Sequence, residues 1–126
     1  LLSLVIFTLV DAMVGFVLPQ LAAMPNAEAA FAGFKRLFDV LFLLGTAAYG
    51  ISTVLALGSE ARVPGSPVNR GLAYVTAVVG GIALVSGMGS MAGLPLTPLV
   101  GASIGLGSAL FIAIGVQIAV AKHRTA

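Results

Sequence analysis

The sequence has no cysteine and no tryptophan, one histidine, and few charges: six Lys or Arg and four Asp or Glu in 126 residues. Each shortage excludes a class of protein. Without cysteine there is no disulfide framework, no thiolate metal or iron–sulfur site and no thiol nucleophile. The lone histidine, His123, sits in the terminal Lys122-His123-Arg124 cluster. It cannot make a two-histidine haem or a histidine zinc or copper site within one chain. Charged residues are 8% of the chain, against roughly a quarter in a soluble domain, so they cannot cover a water-facing surface. The same scarcity excludes a disordered chain and a nucleic-acid binder. The net charge of +2 is only the difference between six and four, and it marks no polyanionic partner.

What is present is apolar. Hydrophobic residues make up 60% of the chain and the mean hydropathy is +1.15, so the expected solvent is lipid. A hydrocarbon core about 30 Å thick needs about 20 apolar residues in a helix. Four such spans are expected, at about 1–24, 37–57, 71–93 and 98–121. They use nearly all of residues 1–126, leaving a single four-helix membrane domain. The fold class is therefore an all-α integral membrane protein, its four transmembrane helices forming an antiparallel bundle. Residues 1–18 are a poor signal peptide, because Asp11 interrupts the apolar run and no basic segment leads it.

Punctuation supports these limits. Pro25-Asn26 ahead of Ala27 and Glu28 predicts a helix start with Asn26 as N-cap. The second helix then begins well before its membrane portion and sets Phe31, Phe34 and Phe38 on one face. Gly58 reads as its C-cap, and the Pro/Gly/Ser-rich stretch to Gly71 as a turn region. Thr97 followed by Pro98 reads as an N-cap and first helical position. The link at Leu94–Thr97 is short, predicting a tight hairpin between helices three and four. Arg62, Arg70, Lys122 and Arg124 outnumber Lys35 and Arg36, so both termini are expected on the cytoplasmic side of a multi-pass protein.

Asp11 is the costliest residue. At about 1.5 Å per residue it stands about 15 Å from Leu1, near the bilayer midplane. A carboxylate there must face protein or water, or be protonated. Thr46, Tyr49, Ser86 and Ser108 are expected at comparable depth and complete a candidate intramembrane polar site. Asp39 follows Lys35 and Arg36 by one helical turn, which predicts an interfacial ion pair.

Small residues are the other signal. Ala73, Ala77 and Gly81 recur every fourth position, as do Gly89 and Gly93, and then Gly101, Gly105, Ala109 and Ala113. This spacing lets helix backbones approach closely. It closes the hairpin of helices three and four, while Gly107 and Gly115 leave surface on another side for an outside helix. The glycines of helix three alternatively loosen it into a gated segment.

No nucleophile, base and orienting group can be assembled, since the histidine is terminal and Asp11 and Asp39 belong to different depths. The methionines read as packing. The chain is therefore expected to be no enzyme and to hold no cofactor or metal. The leading expectation is a non-catalytic accessory subunit that braces larger membrane subunits and lipid in a hetero-oligomer. The alternative is a small proton- or cation-coupled transporter or channel, a homo-oligomer acting through Asp11.

Overall fold

A computed structural model describes residues 1–125, with side chains through Lys122. His123 and Arg124 of the terminal Lys122-His123-Arg124 cluster lie outside the described side chains. Among the described residues the fold is wholly helical: α1 (Leu2–Ala12), a π-helical turn (Met13–Val17), α2 (Leu18–Ala23), α3 (Glu28–Glu60), α4 (Arg70–Met91) and α5 (Thr97–Thr125). α1, the π-turn and α2 form one continuous helix, so four helices are long and apolar enough to cross a membrane.

Proline sets the breaks. All prolines but Pro19 lie in links or in the first turn of α5. Pro19 has no N–H for the Gly15 carbonyl, and its ring crowds that carbonyl. The turn widens instead, and the Leu18 N–H bonds Met13 O, five residues back. Both ends of α3 differ from expectation. Asn26 takes a left-handed φ of 63°, which Asn tolerates but an N-cap does not use. Ala27 takes the cap position, and its carbonyl accepts from Phe31 N at 2.8 Å. Gly58 stays helical and α3 runs on to Glu60. The left-handed glycine of that link is Gly65, at φ 76°.

The link from α4 to α5 is closed by Gly93 at φ 88°. Leu94 N bonds Gly89 O at 2.9 Å and Gly93 N bonds Ser90 O at 3.1 Å. This is the Schellman arrangement, which needs a left-handed residue where Gly93 stands. Gly93 is thus a turn residue and not part of a helix-packing stripe. α5 begins at Thr97, and the Leu96 carbonyl accepts from Val100 N at 3.2 Å. The cap position therefore falls one residue before Thr97.

α3 is the axis. α4 packs along its second half through small residues: Thr46, Gly50, Thr53 and Leu57 on α3 meet Gly87, Gly80 and Ala73 on α4. A Cβ on Gly50 would stand 2.5 Å from both Gly80 O and Leu84 N. Only hydrogen fits there. The buried positions of α4 include Ala73, Thr76, Gly80, Ala83 and Gly87, spaced three and four apart like a heptad seam. Ala77 and Gly81, on the four-residue register, are only half-buried. α4 itself is unbroken across its glycines.

α5 rests on α3 and α4 through Val100, Ser103, Gly107 and Ile114. Among the described residues α1 touches α3 and none of the later helices. Its buried Ile6 and Val10, with Met13 of the π-turn, form the contact face, and Ile6 and Phe7 lie against Gly45. Phe7 meets Phe42 edge-on, and Phe42 stacks with Phe38, both at 6.1 Å. The exterior is apolar, with Phe16 71%, Ile112 70% and Leu55 68% exposed, while Thr46, Thr76 and Ser86 are almost fully buried.

Candidate functional site

The five residues of the expected polar site do not meet. Thr46 and Ser86 share the α3–α4 seam, but each hydroxyl is satisfied on its own helix. Thr46 donates to Phe42 O at 2.9 Å and Ser86 to Ala83 O at 3.2 Å. Back-bonding of this kind hides a hydroxyl at little cost. Ser108 faces outward and donates to Ile104 O at 2.9 Å. Tyr49 points the other way, its ring edge-on to Phe111 at 6.0 Å and its hydroxyl over Gly107. That hydroxyl is buried and reaches toward Thr53 without completing a well-formed hydrogen bond.

Asp11 lies on the outer face of α1 and makes no hydrogen bond or ion pair among the described residues. Its level along the fold is also shifted. Phe7 packs on Phe42, and Leu21 lines a pocket with Phe31. Asp11 lies between these two contacts along the continuous α1–α2 helix, as Phe38 and Asp39 lie between them along α3. Asp39 in turn lines a cavity with Ser90 and Thr97, where α4 ends and α5 begins. Asp11 is therefore level with one end of the α3–α5 bundle and not with its middle. α1 is staggered toward the start of α3, so the distance from Leu1 does not by itself give the level of Asp11 in the bundle.

Lys35 Nζ lies 3.0 Å from Asp39 Oδ2, with both side chains about half exposed. Such a pair contributes about 0–1 kcal/mol. Arg36 is exposed and makes no bond to Asp39. The cavity behind the pair is about 290 Å³, lined by Asp39, Phe42, Leu43, Ser90 and Thr97. Ser90 Oγ is buried there without a partner. Nothing in the spacing of Ser90 distinguishes it beforehand from the other hydroxyls of the span.

The small residues sort into two faces. Gly107, expected outside, is inside: a Cβ there would collide with the Tyr49 hydroxyl. Gly101, Gly105, Ala109 and Ala113 are exposed, and a Cβ on Gly101 or Gly105 would meet nothing within 4 Å. This stripe does not close the hairpin with α4; it runs along the outer side of α5. Gly115 is open as well, and Gly89 is covered by Leu96.

At the opposite end of the bundle the Ala61–Asn69 link is held by polar contacts. Ser66 donates to Glu60 Oε1, and the Ser66 Oγ accepts from Val68 N at 3.0 Å. The Asn69 side chain caps α4 through Leu72 N at 3.2 Å. The Asn69 N–H bonds Gln117 Oε1 on α5 at 3.0 Å. Gln117 is the one amide in an otherwise apolar stretch of the fourth span, and that isolation was its available signal.

The chain matches no family model, no curated protein and no solved structure. Its class is defined by its own features: an all-helical chain with four helices long and apolar enough to cross a membrane.

Proposed function

We propose that this is a multi-pass membrane protein serving as a non-catalytic accessory subunit of a larger membrane complex. The observation that carries the reading is the open face of α5. Gly101, Gly105, Ala109 and Ala113 form a smooth stripe that the chain itself leaves uncovered, and backbones associate in lipid over such stripes by close packing. An apolar exterior of this extent suits hydrocarbon, since in water it would be one large sticky patch. The contacts of Thr46 with Gly87 and of Leu57 with Ala73 support an antiparallel arrangement of α3 and α4, and the short Gly93 turn supports the hairpin of α4 and α5. Arg62, Arg70 and Lys122 gather at one end, which we assign to the cytoplasm together with both termini.

The second reading is a homo-oligomeric coupled transporter or channel working through Asp11. Its support is that Asp11 faces outward, where another copy can meet it. The level of Asp11, toward one end of the bundle, weighs against it, because a coupling carboxylate works best deep in the membrane.

Native mass measured after gentle extraction in a mild detergent separates the two. A stoichiometric particle with larger proteins supports the accessory subunit. A clean homodimer whose ion flux disappears in Asp11→Asn replaces it with the transporter.

A further inference from the structure

We propose that the groove between the Ala61–Asn69 link and the last turns of α5 binds one anionic phospholipid. The inference rests on the membrane reading above. The groove encloses about 480 Å³, and its lining includes Ser66, Val68, Asn69, Val116, Gln117 and Val120. Its two walls differ in kind. The link side is polar and fixed in shape, because Gln117 Oε1 is tied to the Asn69 N–H and Ser66 is tied to Glu60 and Val68. The α5 side is apolar, with Val116 58% and Val120 47% exposed, and it continues along the helix to Ile112 at 70%.

Charge selects the headgroup. Arg70 follows the groove residue Asn69, and Arg62 lies in the same link. The acid described at this end is Glu60, and its carboxylate already accepts the Ser66 hydroxyl. A phosphodiester monoanion is attracted to such a cluster, while a zwitterionic head gains much less. The Gln117 amide lines the groove, and its N–H₂ supplies a neutral donor there. A soluble phosphate would use the cations and waste the apolar wall. A diacyl lipid uses both, with its head at the link and one chain along Val120, Val116 and Ile112.

The test is native mass spectrometry on the full chain, reconstituted in equal phosphatidylglycerol and phosphatidylcholine and released in mild detergent. Phosphatidylglycerol is expected to be retained in preference, at one per chain. Arg62→Gln and Arg70→Gln should each lower retention about fivefold, the factor that corresponds to about 1 kcal/mol per cation. Val116→Trp fills the groove with every charge intact and should remove the bound lipid. Lys35→Gln, at the other end, should leave it unchanged. Equal retention of the two lipids overturns the proposal, as does a Val116→Trp variant that binds like wild type or a Lys35→Gln variant that loses as much as Arg70→Gln. Displacement by soluble glycerol phosphate would identify a free anion as the occupant and also overturn it. Flotation of the same vesicles tests membrane residence separately: a chain that floats but shows no headgroup preference sinks the groove alone.

Discussion

Gly80 and Thr53 face each other so closely across the α3–α4 seam that a Cβ on Gly80 would stand 2.7 Å from the Thr53 Cβ. The nearest atoms belong to a β-branched residue that is itself 2% exposed, so little can yield. Gly80→Ala is therefore expected to cost about 1–3 kcal/mol through overpacking. Gly81→Ala is the control, since its Cβ would meet only Val54 Cγ2 at 4.0 Å. Thermal unfolding of both variants in one detergent decides the matter. Equal stability in the two would mean that the seam is looser than these distances require.

Tyr49 and Gly107 make a second close pair, between α3 and α5. A methyl group at 107 meets the far end of the Tyr49 ring, which is pinned by Phe111. Tyr49→Phe alone should be nearly neutral, because the lost hydroxyl lacks a well-formed hydrogen bond. Gly107→Ala alone should destabilise. In the double variant the clash is partly relieved, so the two effects should fail to add by about 0.5–3 kcal/mol. A double-mutant cycle read by denaturation measures this coupling, and strict additivity would place Tyr49 elsewhere.

The four helices were legible because charge and proline are confined largely to their ends, and length in a membrane is a question of counting. The contact faces were not. Ala73 belongs both to a four-residue stripe through Ala77 and Gly81 and to a heptad seam through Thr76 and Gly80. Periodicity alone does not choose between them; the choice came from α3, whose Gly50 and Thr53 offer the complementary hollows. The level of Asp11 in the fold was not legible for a related reason. Counting from Leu1 assumes that α1 starts at a bilayer edge, whereas Phe7 on Phe42 fixes a stagger that no property of α1 alone encodes. The tie from Asn69 to Gln117 joins residues distant in the chain, and only the fold brings them together.

The helix ends make a paired prediction about glycine. Gly93 closes α4 with a φ of 88°, so Gly93→Ala should cost about 1–2 kcal/mol for forcing a Cβ into the left-handed region. Gly58 is helical with nothing within 4 Å of its Cβ position, so Gly58→Ala should stabilise by about 0.5–1 kcal/mol. The opposite signs are the test. A loss in Gly58→Ala would make it the helix terminator that its place near the loop first implied.

The outer stripe of α5 gives the prediction that bears most directly on function. A Cβ on Gly105 meets nothing within 4 Å, so Gly105→Leu adds a side chain that projects from the open face of α5. The isolated protein should be no less stable than wild type and gain up to about 0.5–1 kcal/mol, as at Gly58, from losing the glycine's helix penalty. A partner helix seated on the stripe would be pushed off by the same side chain, since close backbone approach is what such a face provides. Native mass of gently extracted particles should then show the larger complex depleted in Gly105→Leu, while Leu99→Ala, on an apolar residue of α5 that lines its groove with α4, leaves it intact. If Gly105→Leu is fully incorporated, the stripe faces lipid, and the accessory role must be sought on the other exposed surfaces of α1 and α3.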